Sequence, residues 1–111
     1  MSQTSTTKQR REPQSVRDSA RGKPCAVRLP GVCSFDPETT VYAHISGVRF
    51  GHGTGIKTRF GAYCCHACHE VVDNRVETPE GLTQTEVRLF FYEGVFDTLN
   101  QLLGMGLLKY G

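Results

Sequence analysis

Four cysteines in two clusters constrain this chain more than any other feature. Cys25 and Cys33 flank the turn dipeptide Pro30-Gly31, and Cys65 and Cys68 form a Cys-x2-Cys pair. Two such pairs can hold one tetrahedral zinc ion, which favours thiolate sulfur. The Pro-Gly turn returns the chain so that Cys33 can face Cys25. A Cys-x2-Cys pair opening a helix aims both sulfurs at one point, where helix-start amides favour thiolate charge. With 111 residues the chain is one domain with a limited core, so a metal staple matters to its stability. A disulfide pair and a thioredoxin-type redox pair are the competing uses of these thiols. The first is disfavoured in a reducing compartment, and the second lacks a βαβ context. The fifth thiol, Cys64, is expected to be a small buried residue, although it stands beside Cys65 and could compete for the metal.

Compartment and charge narrow the function. The start of the chain is polar and charged, with no signal-peptide pattern, and no apolar run approaches the ~20 residues that span a bilayer. The expectation is a cytoplasmic protein with no membrane partner. Residues 1–69 carry ten Lys/Arg against four Asp/Glu, and residues 70–111 carry three against seven. A basic front half beside an acidic back half suits a polyanion-binding face.

Along the chain, residues 1–14 read as a disordered tail and residues 15–111 as the single folded domain. A short helix is expected over 15–22, a short strand over 26–29 and a second strand over 39–45. Residues 46–62 are Gly-rich and irregular, with Arg49, His52, Lys57 and Arg59 interleaved. Glycines admit close approach of a ligand, and the basic side chains suggest that the ligand is anionic, with Arg49, Lys57 and Arg59 as its candidate contacts and an ordinary surface loop as the alternative. A helix runs from Cys65 to near Arg75. The longest helix follows, capped by Thr83 or Thr85, with Glu86 in capping-box spacing from Thr83. Its stripe is Val87, Phe90, Phe91, Val95, Leu99, Leu102 and Leu103, and Gly104 and Gly106 end it. Gly94 weakens it by ~1 kcal/mol relative to alanine. This apolar helix also offers a surface through which two copies could pair.

Of the four histidines, His69 is fused to a zinc-binding cysteine, and the strand over 39–45 presents His44 toward it. Two facing imidazoles can divide labour, one binding a hydrolytic metal and the other taking a proton from water. Arg28-Leu-Pro-Gly-Val-Cys33, Pro37-Glu-Thr with Ala43-His44-Ile45, and Cys65-His-Ala-Cys68-His69-Glu with Asp73-Asn-Arg75 together resemble the YbcO family of prophage nucleases, over roughly residues 17–75. That family is similar to the HNH, or His-Me finger, endonucleases. The resemblance implies an α+β fold with a zinc-stabilised ββα core, here followed by a long carboxyl-terminal helix. It implies His44 as general base and His69 as ligand of a catalytic Mg2+ or other divalent metal, acting on DNA in a bacterial host cell.

The chain departs from the wider pattern at Ala43, which cannot ligate where many HNH enzymes carry an acidic or histidine ligand. The metal then needs a further ligand from Asp73, His66, His52 or water. Asp73 lies one helical turn after His69 on the same face and is the first candidate. The expected activity is metal-dependent DNA endonuclease with low sequence specificity, since no major-groove recognition helix is visible. The alternatives are a zinc-stabilised nucleic-acid-binding module without catalysis and a zinc-held adaptor working through the long helix.

Overall fold

The computed structural model describes residues 12–45 and 60–109. In chain order these form helix α1 (Gln14–Ser19), a 3-10 turn (Pro37–Thr39), strand β1 (Val41–His44), strand β2 (Gly61–Cys64), helix α2 (His66–Val72) and helix α3 (Gln84–Gly104). The result is a small α+β fold: one two-stranded antiparallel sheet, two short helices and a long carboxyl-terminal helix.

The strands pair with Val41 opposite Cys64, Tyr42 opposite Tyr63, Ala43 opposite Ala62 and His44 opposite Gly61. Because successive side chains alternate between faces, the sheet has two apolar sides. Tyr42 and Tyr63 pack with Val16 and Ala20 around α1 and with Leu102 of α3. Ala43, Ala62 and Cys64 pack on the other side with Val71, Val87, Phe91, Val95 and the cysteine cluster. Both faces are thus covered, and all four residues of β2 are buried. The outer edge of β2 is closed locally: Tyr63 N–H donates to Thr98 Oγ1 at 2.9 Å, and Tyr63 C=O accepts from Ala26 N–H at 2.8 Å.

Helix α3 begins as its sequence requires. Thr83 Oγ1 accepts from Glu86 N–H at 3.0 Å and Glu86 Oε1 accepts from Thr83 N–H at 2.9 Å, a complete capping box. It ends in a Schellman turn, with Leu107 N–H donating to Leu102 C=O, Gly106 N–H to Leu103 C=O, and Gly106 in the left-handed region at φ +76°. Helix α2 ends the same way. Arg75 N–H reaches Glu70 C=O, Asn74 N–H reaches Val71 C=O, and Asn74 takes φ +60°.

Two expectations of local structure change. Residues 26–29 are not a strand, because the chain bends there around a sulfur: Arg28 N–H donates to Cys25 Sγ and Arg28 sits at φ +49°. Strand β2 falls where the irregular stretch was expected to run on to residue 62. The stripe of α3 is also less regular than its spacing suggests. Gly94 and Thr98 are buried, while Leu89 and Phe96 are exposed. Gly94 lies against the 26–27 backbone: a Cβ there would stand 2.9 Å from Val27 Cγ2 and 3.1 Å from Ala26 O.

Candidate active site and metal centre

The sulfurs of Cys25, Cys33, Cys65 and Cys68 lie within 4.8 Å of one another, so the two clusters meet in space. Cys33 and Cys65 Sγ are 3.8 Å apart, against roughly 3.8 Å between sulfurs of a tetrahedral site with 2.3 Å Zn–S bonds. Each sulfur accepts one backbone N–H at 3.4 Å: Arg28 to Cys25, Phe35 to Cys33, Cys68 to Cys65 and Leu29 to Cys68. Such bonds stabilise thiolate charge. They also account for the left-handed φ of Arg28 and of Phe35, +49° and +55°, where the chain folds back over its own sulfur. Cys65 serves twice, as sulfur donor and as N-cap of α2. The set therefore fits a structural metal such as zinc.

As thiols, the cluster shares protons unequally. Hydrogen bonds from the Cys64 and Cys68 thiols hold Cys25 well below the ordinary thiol range, and the same bonds push Cys64 and Cys68 up. Burial lifts Cys33 to about 11. A dication must therefore displace protons, which makes metal loading weaker in acid. Cys64 is fully buried beside the group.

Each of the three described histidines meets a carboxylate. His44, at the end of β1, places Nε2 2.6 Å from Glu12 Oε1. Its ring meets Tyr42 edge-on at 5.4 Å. Glu12 has a side chain only 3% exposed and lies 3.3 Å from Arg17 Nε through its other oxygen, a contact not aligned as a hydrogen bond. On α2, His69 Nε2 is 3.0 Å from Asp73 Oδ2, and Arg75 approaches the same oxygen at 3.5 Å. His66 is exposed and turns to Glu70 at 3.8 Å.

His44 and Asp73 line one cavity of about 60 Å³ together with Val72, Val87, Arg88, Phe91 and Tyr92. That volume admits a few water molecules or a phosphate oxygen with its hydration. His69 is not among its walls; it is tied to them through Asp73. A larger open hollow of about 770 Å³ lies along α3 between Phe60, Phe96, Leu103 and Leu108, and has only Asp97 and Lys109 as charged groups. The smaller cavity is where the titratable groups converge, so it is the stronger candidate.

Three functional candidates escape a reading of the sequence. Glu12 stands in a polar flank that gives no sign of burial. Arg88 and Tyr92, 3.2 Å apart on α3, look like an ordinary solvated face until the cavity beneath them is seen. Arg49, His52, Lys57 and Arg59 lie outside the described residues.

A solved structure described as a bacteriophage protein from Escherichia coli K-12 superposes with a TM-score of 0.63 at 32% identity, covering 83% of this chain and all of that one. Two relatives, each named "Putative nuclease YbcO", come from Escherichia coli K12 and Enterobacteria phage 82. Each is 37% identical over 91 residues, covering 72% of this chain and 94% of its own. The sequence model of the family described as "Putative nuclease YbcO" matches residues 14–107. On that match and those identities, this chain belongs to the YbcO family.

Proposed function

We propose that the protein is a metal-dependent endonuclease of the HNH type that hydrolyses phosphodiester bonds in DNA with low sequence specificity, in the cytoplasm of a bacterial host. The observation that carries this reading is the shared cavity of His44 and Asp73, with His69 Nε2 3.0 Å from Asp73 Oδ2. An imidazole and a carboxylate–imidazole pair around a space of water size are the parts that metal-assisted hydrolysis needs.

His69 and Asp73 are the residues that would hold the divalent metal. Their donor atoms are 3.0 Å apart, close enough to serve one cation together. When bound, such a cation polarises a phosphoryl oxygen and stabilises charge on the leaving oxygen. The chain supplies the rest. His44 accepts the proton of the attacking water. Arg88, on the cavity wall, neutralises a phosphate oxygen, and Arg49, Lys57 and Arg59 meet flanking phosphates. Val87 and Phe91 bound the space with apolar surface and strengthen electrostatic interactions inside it. Cys25, Cys33, Cys65 and Cys68 would hold a structural zinc that braces the β1–β2–α2 unit carrying His44 and His69.

Among the described residues, no helix is long and apolar enough to cross a membrane. The test is a plasmid-nicking assay with Mg2+, Mn2+ or Ni2+. Nicking should require the metal, stop on chelation with EDTA and vanish in His44→Ala at unchanged far-UV circular dichroism. Binding of DNA without cleavage in any of these metals would leave a nucleic-acid-binding module in place of an enzyme.

A further inference from the structure

We propose that Glu12 is a positioning residue that keeps the proton of neutral His44 on Nε2, leaving Nδ1 as the ring's proton acceptor; its catalytic meaning rests on the nuclease reading above. The carboxylate is acceptor-only when ionised, so a 2.6 Å contact to Nε2 puts the hydrogen on that nitrogen. A neutral imidazole then has its lone pair on Nδ1. Three features make the assignment firm in physical terms. Glu12 is 3% exposed, so water does not compete for the bond. Arg17 Nε, which can only donate, stands 3.3 Å from Oε2 and leaves Oε1 to His44. The Tyr42 ring packs edge-on against His44 and restricts its rotation. Nothing in the cleavage chemistry otherwise uses this buried acid. It lies 32 residues before His44, at the entry to α1, so the first helix is tied to the working end of the hairpin.

The isosteric Glu12→Gln variant gives a sharp consequence. Arg17 donates and cannot accept, so it draws the amide oxygen to its side. The amide NH2 then faces His44 Nε2 and forces that nitrogen to accept. The tautomer switches, and the proton moves to Nδ1, where it blocks proton abstraction from water.

The measurement is 15N–1H NMR of the imidazole nitrogens in the full zinc-loaded chain near neutral pH, with His44 assigned by comparison with His44→Gln. The wild type should show His44 protonated on Nε2, and Glu12→Gln should show it on Nδ1. In the nicking assay, Glu12→Gln should lower kcat by ~100-fold, at the upper end for residues that orient a functional histidine, with KM for DNA within about twofold. A wild-type His44 carrying its proton on Nδ1 overturns the proposal without recourse to any variant. So does a folded Glu12→Gln protein with the wild-type tautomer and wild-type kcat. If the wild type does not nick DNA at all, the nuclease reading falls, and the tautomer measurement alone decides the role of Glu12.

Discussion

Gly94→Ala sets two effects of known size against each other inside α3. Alanine is favoured over glycine in a helix interior by about 1 kcal/mol. The added methyl, however, meets Val27 Cγ2 at 2.9 Å and the Ala26 carbonyl at 3.1–3.2 Å. Val27 is 2% exposed and Ala26 7%, so neither can swing into solvent. Overpacking of this kind costs roughly 1–3 kcal/mol. The difference between the two is a net destabilisation of up to about 2 kcal/mol, or a Tm lowered by up to roughly 16 °C for a domain of this size. Gly104→Ala is the internal control. It lies at the last position of the same helix, has nothing within 4 Å of the added Cβ, and should raise stability by up to ~1 kcal/mol. Urea denaturation of the zinc-loaded proteins measures both. A gain in stability for Gly94→Ala close to the full ~1 kcal/mol helix preference would show that the 26–27 segment does not rest on α3 and would refute the packing argument.

Other perturbations test separate parts. Cys68→Ser should abolish stoichiometric zinc by elemental analysis and lower Tm by on the order of 10 °C or more, since a structural zinc site contributes folding energy directly, while Cys64→Ala should retain one zinc per chain. Thr98→Val removes the acceptor of the buried Tyr63 N–H and should cost about 1–3 kcal/mol in chemical denaturation, with Thr98→Ser restoring most of it. Burial pushes Tyr42 up to about 12, with the Glu12 charge adding to it. Its contribution to stability is therefore complete below its unfolded value of about 10 and is lost as pH rises through 12, a change of roughly 2 kcal/mol. Tyr42→Phe should flatten that alkaline slope relative to wild type. Arg88→Ala should weaken DNA binding and reduce the slope of log affinity against log salt by ~1, as read by fluorescence anisotropy.

What could be read from the sequence followed the strength of local signals. Helix α3 was legible because Thr83, Glu86 and Gly106 each carry a capping or stop signal with a specific geometry and act as their types suggest, whereas Gly104 is the last residue of the helix and takes no special conformation. The cysteine pairs were legible because metal chemistry restricts spacing. Strand β2 was not: Gly61-Ala62-Tyr63-Cys64 is short, is covered on both faces and follows a Gly-rich run, so it shows no alternation. Residues 26–29 have strand-like composition, yet the Cys25 sulfur competes for the backbone N–H and turns the chain. Gly94 reads as a defect in a helix until its contact with residues 26–27 supplies the reason. The approach of Asp73 to His69 was predictable from helical spacing, and Nε2 and Oδ2 stand 3.0 Å apart. The approach of Glu12 to His44 spans 32 residues and depends on where α1 docks, which no local pattern encodes.

The hairpin is inserted between the two halves of the cysteine cluster. Cys33 precedes β1, Cys65 follows β2, and their sulfurs stand 3.8 Å apart, while Ile45 N–H already bonds Phe60 C=O at 2.8 Å where the strands leave the sheet. Both stems of the 46–59 connection are therefore anchored independently of what lies between them. The pairing of β1 with β2 is thus clamped at both ends, by the cysteine cluster beside the Val41–Cys64 pair and by the Ile45–Phe60 bond beside the His44–Gly61 pair.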